Sequence, residues 1–456
     1  MNYIQELQLI LPEIILGVGI ILTVVIEMYS KKSVSVLPWF SVLVFLSVVI
    51  TQFALLNYQA VIYNGMFASG GNPGIFNILF NSAAILVVLS SNNYIKKYGS
   101  HFGEYYILLM SSVLGMMLMA GAKDLFIVFM GLELMSICFY VLAGINRRKS
   151  SANEASLKYF LLGSFATGFI VYGIALIYGS AGSTSIDNII ANFGTLSSNI
   201  LFVTGMLLFF IGFSFKIAAF PFHMWVPDVY QGSATTITGL MSTGGKTAAF
   251  SVLIIFVGIF LSAVNKNIFM PYFAVIATLS MVYGSIVAIS QNNLKRMLAY
   301  SSIAHAGYMS IGLAAGNYES VAGIIFYLAA YIFMNLGAFG VIAIIEGEND
   351  SNLELESYSG LSNRSPALAA LMSLFMFALA GLPPFAGFFG KYYVFISAIE
   401  AKLTWLAIIG VLSSAISVYF YIRVVVYMYF RTPVTEIKIQ DDKAGLISVV
   451  LAAIFV

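Results

Sequence analysis

The chain has 456 residues, of which 60% are hydrophobic and 9% charged, with a formal net charge of +2. Soluble domains carry about 25% charged residues, so a string of soluble domains is excluded. So small a net charge gives no pointer to nucleic acid or to any extended acidic partner. The single cysteine, Cys138, and the three histidines, His101, His223 and His305, exclude an internal disulfide framework. They also leave no cysteine set for an iron–sulfur cluster and no other support for a haem, so no cofactor is expected on this chain. Any electron transfer belongs to another polypeptide.

The opening stretch MNYIQELQLILPEII has no basic n-region, carries Glu6 and Glu13, and runs into an apolar segment long enough to span, so it is expected to stay in the mature protein. Apolar runs bounded by charges or by Gly, Pro, Asn and Ser clusters predict spans at 8–28, 34–55, 74–92, 104–121, 125–144, 153–179, 198–226, 233–262, 268–290, 297–314, 320–345, 365–392, 403–429 and 444–456. The fold class is therefore all-α polytopic membrane protein with about fourteen transmembrane helices. The last run is too short to cross alone and reads as the start of a final helix. Lysine and arginine concentrate after the odd-numbered spans: Lys31/Lys32, Lys96/Lys97, Arg147/Arg148/Lys149, Lys295/Arg296, Arg364 and Arg431/Lys438/Lys443, against Lys123, Lys266 and Lys402 after the even ones. The positive-inside rule then puts the odd loops in the cytoplasm and the N-terminus outside. The loop 346–358 is acidic, with Glu346, Glu348, Asp350, Glu354 and Glu356.

Two spans are interrupted by proline. Pro221 and Pro227 fall in FSFKIAAFPFHMWVPDVYQG, and Pro383 and Pro384 in ALAGLPPFAGFFGKYYVF. Proline removes a backbone donor and clashes with the preceding turn, and open backbone at membrane depth is tolerated only against protein or a water-filled cavity. The breaks lie in the seventh and twelfth spans, beside Lys216 and Lys391. Five spans is an odd offset, which reverses the direction of crossing. That is the pattern of an inverted repeat with its site near the midplane.

A charge at the centre of a bilayer helix costs about 2.5–3.5 kcal/mol on insertion scales. Glu133, Lys216, Lys246, Lys391, His305 and Lys158, with Glu154 one turn before it, all demand an account. Glu13, Glu27, Glu104 and Lys402 lie near span ends and read as snorkelling or interfacial, Glu104 with the strongest case for function. Glu154–Lys158 is either a rim ion pair or part of a path. Lys216, Lys246 and Glu133 are either an inert cluster pinning helices together or a proton route. His305 is either a core histidine bonded to Ser or Tyr or a proton carrier. His223 with Trp225 reads as a helix-end anchor, and Asp228 as a cap. A free lysine titrates near 10.4, desolvation lowers this and a nearby carboxylate raises it again. Bringing a buried lysine to about 7 takes roughly 4.6 kcal/mol, and carrying one charge through about 150 mV takes roughly 3.5 kcal/mol. A Glu–Lys switch and the work of pumping are therefore of one order.

The segments GLELMSICFYVL (Gly131–Leu142), KIAAFPFHMWVPDVYQG (Lys216–Gly232), LKRMLAYSSIAHAGY (Leu294–Tyr308) and GLPPFAGFFGK (Gly381–Lys391) resemble the antiporter-like membrane subunits of proton-translocating NADH:quinone oxidoreductase, respiratory complex I. The resemblance covers nearly the whole chain, from about residue 5 onward. A compact layout without a long C-terminal lateral helix, and a lysine at 391 where another branch has glutamate, resemble the subunit N branch. The resemblance implies three N-terminal helices (1–100), two inverted five-helix repeats (101–265 and 266–432) and the start of a final helix (433–456). It implies proton transfer through Glu133, Lys158, Lys216, Lys246, His305 and Lys391, with Glu104 and Glu154 on a secondary path. NADH, FMN, iron–sulfur clusters and quinone are implied in partner subunits, the partners being subunits M, K and J within a bacterial inner membrane. One departure stands out: where the family has prolines after the position of Gly232, this chain reads SATTITGLMSTGGK, and Gly244–Gly245 are expected to supply the flexibility. Two other functions remain open at this level: a subunit of a multisubunit cation/proton antiporter or membrane-bound hydrogenase, and a scaffold whose buried charges are inert.

Overall fold

The computed structural model describes residues 3–30, 33–96, 103–262, 269–347, 351–433 and 442–456. Of the charges read above, Lys31, Lys32, Lys97, Lys266, Glu348, Asp350 and Lys438, together with His101, lie outside the described residues.

Among the described residues, ten helices are long and apolar enough to cross a membrane: Leu11–Tyr29, Ser33–Leu55, Gly71–Ile95, Gly103–Gly121, Leu125–Ala143, Ser150–Ala181, Thr235–Val257, Met270–Ile289, Tyr318–Ile345 and Thr404–Phe430. Four further segments complete the expected set. The seventh span is Ile200–Lys216 followed by Val226–Gly232, and the tenth is Leu294–Ala315. The twelfth is Pro366–Ala380 followed by Ala386–Glu400, and the fourteenth is Lys443–Ile454. The seventh and twelfth are the two broken helices, interrupted at the prolines. Outside the spans, a two-stranded hairpin pairs Ala60–Ile62 with Phe67–Ser69 in the second loop, an addition to the all-helical expectation.

Local sequence sets the helix ends. Asp124 accepts from the Phe126 N–H at 2.8 Å and opens the fifth span, and Asn293 does the same for Arg296 at 3.1 Å at the start of the tenth. Asn317 and Ser320 form a reciprocal capping box on the eleventh. The first two helices of each five-span half pack through glycine. A Cβ on Gly115 would meet the Met135 nitrogen at 2.6 Å, and one on Gly284 would meet the Ala304 nitrogen at 2.7 Å. Small residues let backbones approach this closely where lipid supplies no hydrophobic drive between helices. The same device at the fourth–fifth and ninth–tenth spans matches the internal repeat.

Burial sorts the helices into a shell and an interior. The first and sixth spans bury 28% of their most apolar window, whereas the eighth buries 94% and the eleventh 89%. The tenth is buried along almost its whole length. A helix walled in by protein has no need of an oily surface, which explains why this span is the least apolar of the long helices. The interior trio, eighth, tenth and eleventh, carries Lys246 and His305.

Candidate functional site

The first half of the seventh span ends at Lys216, because Pro221 lacks an N–H and Ala218 turns to a left-handed conformation (φ 63°). The indole N–H of Trp225 donates to the freed Phe215 carbonyl at 3.2 Å, which keeps the broken backbone satisfied. The Lys216 ammonium, buried, donates to Ser136 Oγ at 2.8 Å and to the Tyr140 hydroxyl at 3.1 Å. Ser136 and Tyr140 sit three and seven residues after Glu133, on one face of the fifth span. Glu133 itself is half-buried and accepts a hydrogen bond from Thr167 Oγ1 at 2.8 Å. Among the described residues, Glu133 and Lys216 form no ion pair within 4 Å. The lysine is therefore held by hydroxyls, and the single Glu133–Lys216–Lys246 ion cluster weighed above is absent among them.

Lys246 follows a π-helical turn, Met241–Gly245. The flexible point expected at Gly244–Gly245 is thus a register slip in the helix, a device frequent at functional sites. Only 1% of Lys246 is exposed; its ammonium donates to the Ser302 carbonyl at 2.7 Å and also to the Ser302 hydroxyl. His305 lies one turn along the same helix. Its Nδ1 pairs with the Tyr327 hydroxyl at 2.8 Å and its Nε2 with the Tyr421 hydroxyl at 3.0 Å, and Tyr421 reaches on to Ser301. The imidazole centroid lies 5.8 Å from that of Tyr308, the ring that Lys391 faces, and His305 shares the tenth span with Ser302, which holds Lys246.

Lys391 closes the line. Its ammonium donates to the carbonyls of Ala380 at 2.8 Å and Leu379 at 3.3 Å, and to Ser414 Oγ at 2.9 Å. It stands 5.0 Å from the Tyr308 ring centroid. The two carbonyls are orphans left where the twelfth span breaks, and the negative end of a half-helix favours a cation there.

The structure separates the remaining candidates from this line. Lys158 pairs with Glu154 at 2.7 Å and Asp228 at 2.8 Å, and Asp228 also pairs with Arg296 at 2.8 Å; all four are partly exposed, a rim network. Glu104 is exposed in the first turn of the fourth span. His223 is buried against the Phe220 and Tyr283 rings rather than anchored at an interface. Among the described residues no side-chain hydrogen bond joins the Ser136–Tyr140–Lys216 group to the Lys246 group, and the Phe139 ring lies against Gly245 between them. Among the described residues, four buried hydroxyls near this line, those of Tyr230, Thr247, Ser285 and Tyr308, make no hydrogen bond within 3.5 Å, although Tyr230 faces Ser302 and Tyr308 faces Ser285 at longer range. Buried polar groups of this kind are ordinarily satisfied by ordered water.

Sequence reasoning missed several members. Tyr327, Tyr421 and Ser302 hold the charged groups, but among 27 tyrosines in the chain nothing local distinguishes them. Glu13, read as interfacial, is buried and accepts from Asn77 Nδ2 at 2.9 Å. Lys295 and Glu346, read as loop charges, are both buried.

A sequence model of the NADH:quinone oxidoreductase/Mrp antiporter transmembrane family matches residues 122–417. NADH-quinone oxidoreductase subunit N 1 of Chloroherpeton thalassium is 44% identical over 440 residues, covering 96% of this chain and 92% of the relative. NADH-quinone oxidoreductase subunit N of Trichlorobacter lovleyi is 45% identical over 433 residues, covering 93% and 88%. Among solved structures, a chain of respiratory complex I from Thermus thermophilus with bound aureothin superposes with a TM-score of 0.82 at 31% identity, covering 97% of this chain and 96% of that one. A chain of the Mrp complex from Dietzia sp. superposes at 0.87 with 18% identity, covering 99% and 93%, a likeness of fold alone.

Proposed function

The chain belongs to the NADH:quinone oxidoreductase/Mrp antiporter family of membrane subunits, and from that premise we propose that it is the proton-translocating subunit N of an NADH:quinone oxidoreductase. It carries no redox chemistry of its own. Electrons pass from NADH through FMN and iron–sulfur clusters to quinone in partner subunits, and this chain moves protons in response.

The observation that carries the reading is the buried line Lys246–His305–Lys391, spaced by serine and tyrosine hydroxyls and flanked by hydroxyls that call for water. In this mechanism charge at Glu133 sets the proton affinity of Lys216 across the Ser136 and Tyr140 hydroxyls. The proton passes to Lys246, then by way of Ser302 and His305 to Lys391 and an exit beyond the twelfth-span break. Lys158, Glu154 and Glu104 serve the entry side. The domain plan is three N-terminal helices (1–100), repeats at 101–265 and 266–432, and the final helix from 433. The protein sits in a bacterial inner membrane with its N-terminus periplasmic, beside subunits M, K and J.

Lys216→Ala in the assembled complex tests it. NADH-driven proton uptake into proteoliposomes should fall sharply while NADH oxidation by an artificial acceptor persists. Pumping at the parent level would overturn the reading.

A further inference from the structure

Glu346 opens an acidic loop in the sequence, yet its side chain is 1% exposed. Its Oε2 accepts from the Tyr94 hydroxyl at 3.0 Å and from Thr235 Oγ1 at 2.5 Å, and the Thr235 N–H donates to the Tyr94 hydroxyl at 3.1 Å. Lys295, also buried, donates to the Ser233 carbonyl at 2.6 Å, two residues from Thr235. The third, eighth, tenth and eleventh spans converge here on a buried acid and a buried base.

A pair that only pinned helices together would need neither a way in nor a way onward. This one has both. A cavity of about 20 Å³, enough for one water, is lined by Asn146 and Lys149 of the loop after the fifth span and by Tyr94, Tyr105 and Ala234. The residue that donates to Glu346 thus forms part of the wall leading to the loop surface. Onward, Thr235, Thr238 and Ser242 follow at steps of three and four along the eighth span, on one helix face, with Lys246 just past the π-helical turn that begins beside them, and all four are buried. Ser242 accepts from Asn335 Nδ2 at 2.8 Å, and Asn335 also donates to the Tyr331 hydroxyl at 3.0 Å. Thr238 donates to the Tyr230 carbonyl at 3.1 Å. The buried Tyr230 hydroxyl makes no hydrogen bond within 3.5 Å among the described residues and has Ser302 and Tyr331 as neighbours. Ser302 in turn holds Lys246.

We propose that Glu346 is a proton-loading site that takes protons from the side of the 144–149 loop and delivers them to Lys246 along the polar face of the eighth span. The inference rests on the reading of this chain as a proton conductor and adds to it a loading site for Lys246, needed alongside Lys216 in each turnover. In the step, the Glu346 carboxylic acid releases a proton to the hydroxyl and water chain, and a neutral Lys246 amine takes one up as ammonium. The carboxylate is then reprotonated through the Tyr94 cavity. No electron moves, and one proton enters for each delivered.

The test uses the whole complex in proteoliposomes, reading NADH-driven proton uptake and quinone reduction, with artificial-acceptor activity as the control for assembly. Glu346→Gln should slow both by about a hundredfold or more, in the range that removal of a proton-transfer group produces. Glu346→Asp should restore at least half of the rate. The Glu346→Gln complex should also lose one limb of the parent's pH–rate profile, which a structural role would leave in shape. Parent-level uptake in an assembled Glu346→Gln complex overturns the proposal. If that variant fails to assemble, Thr235→Val and Ser242→Ala decide: slowed uptake supports the route and parent rates overturn it. Lys216→Ala in the same preparation separates the two readings. If it too leaves pumping intact, the conductor reading fails; if it stops pumping while Glu346→Gln does not, only this entrance fails.

Discussion

Gly381→Ala offers a sharp test of how the twelfth-span break holds its lysine. Gly381 closes the first half-helix in a left-handed conformation (φ 82°), and a Cβ there would lie 2.9 Å from both the Cδ and the Nζ of Lys391. The left-handed backbone costs a non-glycine residue roughly 1–2 kcal/mol. Relieving the new contact moves the ammonium by about 0.5 Å, to ordinary van der Waals separation. Its 2.8 Å bond to the Ala380 carbonyl then lengthens to at most about 3.3 Å, the weak end of the hydrogen-bond range. A hydrogen bond to a charged group is worth about 1.5–3 kcal/mol. Together the two effects come to at most about 2.5–5 kcal/mol, with the Leu379 and Ser414 bonds remaining. Even one lost bond in the transfer geometry corresponds to roughly a tenfold rate loss, at 1.36 kcal/mol per factor of ten. The assay is proton uptake and quinone reduction by the reconstituted complex, with assembly checked on a native gel. Gly381→Asn, which tolerates the left-handed backbone but keeps the Cβ contact, should fall between Ala and the parent. If both variants assemble and pump at the parent rate, Lys391 does not work through these carbonyls and the account is wrong.

Other consequences can be measured alongside. Tyr421→Phe leaves His305 Nε2 and Ser301 without their shared hydroxyl, and Tyr327→Phe does the same to Nδ1; each should slow pumping severalfold, and a double variant at parent rate would remove His305 from the path. Gly284→Ala forces a Cβ to 2.7 Å from the Ala304 nitrogen, so the ninth and tenth helices must part at a cost of about 1–3 kcal/mol, read as a lower unfolding temperature in detergent. Asp228→Asn breaks two partly exposed ion pairs worth about 0–1 kcal/mol, so thermal stability should hardly change; a large drop would mean that the rim network is structural. Cys138, the lone cysteine and buried, should resist maleimide in the folded complex and react once it is denatured.

Local chemistry made much of this legible in advance. Pro221 and Pro383–Pro384 break their helices wherever they sit in the fold, because a missing donor and a steric clash need no partner. Lys216, Lys246 and Lys391 stood out because charge in an apolar run is costly whatever surrounds it. What surrounds it was not readable. Ser136 lies 80 residues from the lysine it holds, and Tyr94 lies 252 residues from Glu346. Glu13 and Glu346, each at the edge of an apolar run, read as interfacial or loop charges until neighbouring helices covered them.

Hydropathy, helix breakers and the sign of loop charges depend on a residue and its near neighbours, so the chain alone determined the number of crossings, the two breaks and that Lys216, Lys246 and Lys391 are enclosed, but not that Lys295 is buried too or that Lys158 stays at the rim. Desolvation and hydrogen-bond partnership are properties of the packed assembly, set by side chains brought in from distant spans. Packing alone therefore decided that Lys216 rests on hydroxyls rather than on Glu133, that His305 is clamped by two tyrosines, and that an acid at the end of the eleventh span lies buried.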